Sequence, residues 1–336
     1  MNVEAVIQQI GERLSQARRV LIASHVRPDG DAIGSLLGLG LALQDAGKSV
    51  QMVLHDGVPA SFRFLKGQEQ VRQYPEGEWD AFISVDCADF KRLGKPFASF
   101  PRPDINIDHH ITNEHFGELN LIVGDEVATA AILTDCLPDW GLTISPPVAN
   151  ALLTGIVTDT LGFRTANTTP KALRQAATLM EHGANLTELY NHSLVRRSFA
   201  AARYWGAGLS SLERKNGVVW GTLTLADRKA AGYPGNDDAD LINIISSIND
   251  DTRIGMIFVE QSDNHVKVSW RALEEGIDVS RVAKQFNGGG HAAAAGADIP
   301  GTLSEVQSRV LEATWETLGL TSHSLKSDTI SRNSVG

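Results

Sequence analysis

The chain has 336 residues, 42% of them hydrophobic, a mean hydropathy of −0.11 and a net charge of −10, values typical of a globular protein long enough for two domains. The negative charge excludes a protein that follows long duplex DNA, because neutralising phosphates requires a basic surface. Two cysteines exclude a disulfide framework, and we expect a cytoplasmic protein with no secretory signal and no membrane contact.

The first half of the chain alternates short apolar runs with amphipathic stretches. This alternation is typical of a doubly wound, mainly parallel α/β sheet. We predict strands over residues 20–23, 49–54, 81–85 and 104–107, and helices over 1–16, 32–46, 127–137 and 148–157.

The second half begins with helical patterns and ends in a smaller α/β unit. Helices are predicted over residues 171–181, 186–212, 238–248, 279–286 and 303–318, and strands over 218–225, 254–260 and 266–270. We therefore predict a catalytic domain over 1–185, a helical linker over 186–215, a second domain over 216–321 and a disordered tail over 322–336.

Acidic and histidine side chains follow several of the predicted strands in the first half. A cap or a turn would explain any one of them, and Asp31 in particular can cap the helix that follows it. Because the carboxyl ends of parallel strands share one edge of a sheet, we expect the whole set to meet there. The set comprises His25, Asp29, Asp31, Asp86, His109, His110 and Asp159.

Four clustered aspartates are the strongest indication of a metal site. Their charges would repel one another by several kcal/mol at an effective dielectric constant of about 20. Two divalent ions would balance these four charges, and imidazole ligands favour Mn²⁺ or another transition ion over Mg²⁺ alone. Two ions about 3.5–4 Å apart can stabilise both the attacking and the leaving oxygen of a displacement at phosphorus. We therefore predict a site for two divalent ions, of Mn²⁺ or another transition metal.

Four sequence motifs resemble those of the DHH phosphoesterase superfamily, and they occur in the order of that superfamily. They are HVRPDGDAIGS, VDCAD, IDHH and TGIVTDT. Within the superfamily the chain is most similar to the nanoRNase/pAp phosphatase subfamily, over residues 19 to about 320. The resemblance implies a DHH catalytic domain followed by a DHH-associated C-terminal domain.

The resemblance also implies specific roles for the clustered residues. One Mn²⁺ would be held by His25, Asp29 and Asp86, and the other by Asp31, Asp86, His109 and Asp159, with Asp86 bridging. His110 would face the scissile phosphate, where it could steady the phosphate oxygens or help the leaving group to depart. Asp86 and His110 are thus the expected catalytic residues, and Asp108 is a candidate for orienting a histidine.

A glycine-rich stretch, NGGGHAAAAG at residues 287–296, is the second feature to which we assign chemistry. Glycines allow backbone amides to approach an anion closely, although a flexible connection has the same composition. The stretch resembles the glycine-rich motif of the DHH-associated domain. The substrate-binding residues that we infer from that resemblance, and from the arginine five positions after Asp159, are Arg164, Arg271, Gly288, Gly289, Gly290 and His291.

The function that the resemblance implies is a Mn²⁺-dependent phosphoesterase acting on short single-stranded oligoribonucleotides. Removal of phosphate from the nucleotide bisphosphate pAp (adenosine 3′,5′-bisphosphate), yielding AMP, is expected as a companion activity. Cleavage of c-di-AMP or its linear product pApA is an alternative, and a nucleotide sensor without catalysis is an alternative of another class. The sequence is compatible with a homodimer as well as with a monomer.

Overall fold

The computed structural model describes residues 3–248 and 251–319. The chain forms two compact units, which meet in the sequence between Arg196 and Arg197, inside the stretch predicted as a linker. The predicted disordered tail over 322–336 lies outside the described residues. Within those residues, no helix is long and apolar enough to cross a bilayer.

The first unit contains a five-stranded sheet in which every neighbouring pair is parallel. The strands are β1 (Arg19–Ala23), β2 (Ser49–Val53), β3 (Ala81–Val85), β4 (Ile105–Asp108) and β5 (Leu119–Ile122), in the order β2-β1-β3-β4-β5. All five residues of β3 are buried, as expected for a strand covered on both faces. The predicted α/β fold with a parallel sheet is confirmed, and β5 is a strand that the sequence analysis missed.

Different structures cover the two faces of this sheet. The helices of the unit are α1 (Val3–Gln16), α2 (Gly30–Asp45), α3 (Thr129–Asp139), α4 (Pro146–Asp159), α5 (Pro170–Glu181) and α6 (Leu186–Tyr190). Val20 and Ile22 of β1 belong to the core built with these helices, whereas Leu21 and Ala23 belong to a second, aromatic-rich core that includes Phe82. Short 3₁₀ helices at Phe90–Leu93 and Lys95–Phe97 contribute to that second core.

The predicted continuous helix over residues 186–212 is wrong. A π-helical turn (Asn191–Val195) follows α6, and Arg196 then adopts extended backbone angles. Ser198 begins a new helix, α7 (Phe199–Ser210), because its hydroxyl accepts a hydrogen bond from the amide of Ala201 at 3.0 Å. The apolar periodicity continues through this interruption, which is why it predicted a single helix.

The second unit is built on a mixed six-stranded sheet. Its strands are β6 (Glu213–Lys215), β7 (Val218–Leu223), β8 (Ile254–Ser262), β9 (His265–Ala272), β10 (Gly289–Gly290) and β11 (Ala294–Pro300), in the order β10-β11-β9-β8-β7-β6. Only the β7–β8 pair is parallel. The remaining helices are α8 (Leu225–Ala231), α9 (Leu241–Ile245), α10 (Ser280–Gln285) and α11 (Leu303–Thr317). The alanine run after the glycines therefore ends in a strand, β11, which begins at Ala294 and which the sequence analysis missed.

Candidate functional site

The parallel register of the first sheet brings the ends of β1, β3 and β4 together. Val85 pairs with Ile107, and the amide of Asp86 donates to the Ile107 carbonyl at 2.9 Å. One residue separates His25 from the end of β1, whereas Asp86 follows β3 directly and His109 follows β4 directly. Three separate segments of the chain therefore present polar side chains at one edge of the sheet.

His25, Asp29 and Asp86 form the first group of potential metal ligands. One donor atom from each lies within 4.8 Å of the other two. The Nε2 of His25 is 3.8 Å from Asp29 Oδ1 and 3.5 Å from Asp86 Oδ2. Asp29 is also the N-cap of α2, because its Oδ1 accepts the amides of Asp31 and Ala32.

Asp31, His109 and Asp159 form the second group, with the same 4.8 Å criterion. The Nε2 of His109 lies 3.9 Å from Asp31 Oδ2 and 3.6 Å from Asp159 Oδ2. It also lies 3.8 Å from Asp86 Oδ1, whereas the other oxygen of Asp86 faces His25. The two oxygens of Asp86 therefore point toward different groups, which is the arrangement of a carboxylate that can bridge two cations.

Backbone carbonyls orient both histidines for ligation. The Nδ1 of His25 is 2.9 Å from the carbonyl oxygen of Val26, and the Nδ1 of His109 is 3.2 Å from that of Glu126. Because a carbonyl oxygen only accepts, a neutral ring that donates its Nδ1–H to it would have an unprotonated Nε2 facing the carboxylates, available to a metal ion. Neutral imidazole nitrogens and carboxylate oxygens form a donor set suited to Mn²⁺ and similar transition ions, so the residues present fit such a metal.

His110 forms a third group of potential ligand atoms with Asp86 and His109, and it is also held by a hydrogen-bond network of its own. Its Nδ1 donates to Asp108 Oδ1 at 2.7 Å, and the buried Asp108 also accepts the amide of His109 at 2.9 Å. Asn113 donates to Asp108 Oδ2 at 2.6 Å and accepts from Asn106 at 3.1 Å. Because Nδ1 of His110 is bound to Asp108, Nε2 is the ring nitrogen that is available to a ligand. Asp108 thus contacts His110, as a residue that orients a histidine should.

In the second unit, the glycine-rich stretch forms a tight hairpin between β10 and β11. The amide of His291 donates to the Ala294 carbonyl at 2.8 Å, and the reverse bond measures 3.2 Å. Gly290 has a φ of 137°, and a Cβ placed there would lie 2.4 Å from the Ala294 carbonyl oxygen. A Cβ at Gly289 would meet nothing within 4 Å, so that position is open to a ligand.

Arg271 lies at the same end of that sheet as the hairpin. It pairs with Ala294 in the β9–β11 register, and its Nη1 donates to the Trp270 carbonyl at 3.0 Å. Burial lowers the pKa of Arg271, and the charge of Asp238 partly opposes this effect. The structure therefore brings Arg271 and the GGGH hairpin to one end of the same sheet. Arg164 belongs to the first unit, on the loop after α4, and is exposed.

Comparison with known proteins identifies both halves of the chain. Residues 19–156 match the N-terminal domain of the DHH family, and residues 228–319 match the DHHA1 domain. A Thermus thermophilus protein named bifunctional oligoribonuclease and PAP phosphatase NrnA is 37% identical over 305 residues, which cover 89% of this chain and 90% of that protein. The chain belongs to the DHH family. The resemblance inferred from the four motifs is confirmed.

Two further relatives of this DHH protein agree with that assignment. A Bacillus subtilis protein of the same name is 24% identical over 296 residues, covering 83% of this chain and 89% of that protein. The crystal structure of an exopolyphosphatase-related protein from Bacteroides fragilis superposes with a TM-score of 0.85 at 26% identity. That match covers 94% of this chain and 98% of the other, so the fold is shared over almost the whole length.

Burial and mutual repulsion set the charges of the DHH cluster. Burial raises the pKa of Asp31 well above its usual range, and the charges of Asp86 and Asp159 add to the effect. Burial also raises the pKa of Asp159, to about 6. Burial alone would raise the pKa of Asp86, but hydrogen bonding and the charges of the neighbouring histidines outweigh it and lower the pKa to about 2. Without cations, the DHH cluster therefore carries more negative charge than its surroundings stabilise.

Three residues of the DHH domain contact the cluster and were missed by the sequence analysis. Thr129 donates through its hydroxyl to Asp86 Oδ1 at 3.1 Å, Asn113 binds Asp108, and an Nη2 of Arg92 lies 3.1 Å from the Nδ1 of His25. None belongs to one of the quoted motifs, so only tertiary contact reveals them. Asp86 itself has a φ of 51°, an uncommon backbone angle for a residue other than glycine that is often found at functional sites.

Proposed function

We propose that this DHH protein hydrolyses phosphoester bonds in short oligoribonucleotides and removes the 3′-phosphate of pAp. The observation that carries the proposal is the position of Asp86 between two groups of potential metal ligands. Its Oδ2 faces His25 of the first group, and its Oδ1 faces His109 of the second. Two divalent ions bound there suit an in-line displacement at phosphorus. The names of the Thermus thermophilus and Bacillus subtilis relatives support the same two activities.

We propose Mn²⁺ as the metal, with two ions per chain. His25, Asp29 and Asp86 would hold one ion, and Asp31, Asp86, His109 and Asp159 the other. The charge balance supports this count, because the four carboxylates would meet four positive charges. When bound, the ions would supply Lewis acidity at the phosphorus centre and lower the pKa of a water nucleophile.

The chain's own residues would position the substrate and handle the proton. His110, fixed through Nδ1 by Asp108, would present its Nε2 to an oxygen of the scissile phosphate. In that position it could hydrogen-bond a phosphate oxygen or donate a proton to the leaving oxygen. Asp86 would be a ligand of both ions, and we therefore propose Asp86 and His110 as the catalytic residues.

A second phosphate-binding region is proposed in the DHHA1 domain. Arg271 supplies a cation with no carboxylate bound to its guanidinium among the contacts of the described residues, and the neighbouring hairpin supplies His291 and the open position at Gly289. Guanidinium and backbone amides are groups that bind phosphate. We propose that Arg271, Gly288, Gly289, Gly290 and His291 bind substrate phosphate. Separately, we propose that Arg164, on the loop after α4 of the DHH domain, binds substrate phosphate.

We infer that the protein works in the cytoplasm. Both of its cysteines, Cys87 and Cys136, are free and buried, as is usual where thiols stay reduced. Short single-stranded RNA fragments and nucleotide bisphosphates are the substrates that this assignment implies.

A turnover panel with Mn²⁺ tests the proposed function. Wild type, Asp86→Asn and the exposed control Asp263→Asn are each incubated with RNA of two to six nucleotides, pAp, pApA, c-di-AMP and pyrophosphate. We expect wild type and the control to convert the short RNAs and pAp, and Asp86→Asn to convert neither. Preferred cleavage of c-di-AMP or pApA would replace the proposed substrate, and nucleotide binding without any turnover would indicate a sensor.

A further inference from the structure

The segment that follows β5, residues 126–130, contacts three of the proposed metal ligands. The Glu126 carbonyl accepts from His109 at 3.2 Å, and the Thr129 hydroxyl donates to Asp86 at 3.1 Å. The amides of Thr129 and Ala130 donate to the two oxygens of Asp31, at 2.6 and 3.0 Å. We call residues 126–130 the support segment. A shift of this backbone would disturb all three ligands together.

Lys171 of α5 contacts the support segment through the side chain of Glu126. Its Nζ contacts the carboxylate of Glu126 and lies 2.7 Å from Asp135 Oδ2 on α3. One turn later, Gln175 donates to the same Asp135 at 3.0 Å and to the Ala131 carbonyl at 3.2 Å. The start of α5 is thereby connected to the support segment through Glu126.

The burial of Glu126 makes this ion pair more consequential than an ordinary surface pair. Exposed ion pairs contribute little, because water and salt screen them. Here the Glu126 side chain is only 9% exposed, although that of Lys171 is 50% exposed. Removing the cation would leave a buried carboxylate without its charge partner, which is strongly unfavourable. The carboxylate would regain hydration most easily by turning outward, and that movement would shift its own backbone carbonyl away from His109.

We propose that Lys171 is a positioning residue for the metal centre, acting through Glu126 on His109. The proposal rests on the metal centre described under the proposed function. Residues that orient metal ligands typically change affinity by 10–100-fold when they are removed. Because Lys171 acts at one further remove, we expect the lower end of that range.

The sign of the effect separates positioning from simple electrostatics. Lys171→Met removes one positive charge, and by charge alone this would favour binding of a cation to the acidic cluster. Positioning predicts the opposite, a weaker affinity for Mn²⁺. Lys171→Arg keeps the charge and should keep the affinity. In a Glu126→Gln variant the buried carboxylate that Lys171 neutralises is absent. Adding Lys171→Met to that variant should therefore change the affinity for Mn²⁺ very little.

The test is calorimetric titration of Mn²⁺ alone into the full, metal-free chain. For the ion assigned to His109, we expect Lys171→Met to raise the Kd roughly tenfold and Lys171→Arg to keep it within about twofold of wild type. Added to Glu126→Gln, Lys171→Met should change this Kd by less than about twofold. Lys48→Met is the matched control, because it removes the same charge from the same unit at a side chain that binds the Ala17 carbonyl. Circular dichroism melts of each metal-free variant verify that it is folded.

Several results would overturn the inference, and they are distinguishable from failure of the proposed function. An unchanged or lower Kd for folded Lys171→Met would refute positioning while leaving the metal centre intact. The same would follow if Lys48→Met weakened Mn²⁺ binding as much as Lys171→Met. Failure of wild type to bind Mn²⁺ would instead overturn the metal centre itself, and this inference with it.

Discussion

Replacing Asp159 with asparagine should stabilise the metal-free protein while weakening its affinity for Mn²⁺. Asp159 lies beside Asp86 and Asp29, whose negative charges raise its pKa further after burial has raised it. It is also 3.6 Å from the Nε2 of His109, within the second ligand group. Asparagine has nearly the same shape and no charge. The substitution therefore removes repulsion from the empty cluster and a ligand from the filled one.

The magnitude follows from the pKa of Asp159. Raising this pKa from its ordinary value near 3.8 to about 6 corresponds to about 3 kcal/mol in favour of the protonated folded form. The side chain is 30% exposed, so water screens part of the repulsion. We therefore expect Asp159→Asn to raise the free energy of unfolding of the metal-free protein by about 1–2 kcal/mol at pH 7.5.

The sign of the pH dependence follows from proton binding. Between about pH 4 and 6 the folded protein still holds a proton on Asp159 that the unfolded chain has already released, so the wild-type free energy of unfolding falls as the pH rises. Asparagine does not titrate. The advantage of the variant should consequently be small near pH 4.5 and reach its full value above about pH 6.5.

Urea denaturation of the metal-free protein at pH 4.5 and 7.5 measures this effect, and Mn²⁺ titration measures the loss of affinity. Asp263→Asn, at an exposed position, serves as the control and should change neither. Saturating Mn²⁺ should reverse the order of stability, because the ion stabilises wild type more than the variant. A metal-free variant less stable than wild type at pH 7.5 would refute the account of the cluster as a source of repulsion.

Three further predictions concern the other parts of the site. Asp86→Asn should lower Mn²⁺-dependent turnover by more than about 100-fold, because each of the two proposed ions would lose a ligand; turnover near the wild-type rate would contradict the bridging role. Asn113→Ala should cost about 2–3 kcal/mol in urea denaturation, since the buried Asp108 loses a hydrogen bond to a charged group, and a loss below about 0.5 kcal/mol would contradict this. Gly290→Ala should lower the melting temperature, whereas Gly289→Ala should leave it unchanged and raise KM for pAp. Equal effects of the two substitutions on the melting temperature would contradict this interpretation of the hairpin.

The clustering of the acidic and histidine side chains could largely be predicted from the chain alone. His25, Asp86 and His109 each stand at the end of a buried apolar run, and parallel pairing of such runs requires their ends to lie at one edge. The structure places His25, Asp29 and Asp86 in one group of potential ligands and Asp31, His109 and Asp159 in a second, and it adds a third group of Asp86, His109 and His110. The roles of these residues in catalysis and metal binding stay predictions that the experiments above address.

The second unit was predicted only in part: the predicted strands overlap β7, β8 and β9, whereas β6, β10 and β11 were missed. Residues 294–300 are small and have little of the β-branched character that marks a strand, yet they pair with β9 over seven residues. The interruption at Arg196 was missed for a related reason. Its cause is a local capping bond at Ser198, which competes with the helical periodicity on either side.

The sequence by itself determined the family, the parallel α/β sheet of the first unit and the residues able to bind metal, because periodicity and motif order are properties of the chain. Only the tertiary structure decided which oxygen of Asp86 faces which histidine, and that Asn113, Thr129 and Lys171 contact Asp108, Asp86 and Glu126. These residues reach the centre through hydrogen bonds and ion pairs between segments that lie far apart in the chain. Such contacts depend on distances and directions that close only when the strands and helices have packed.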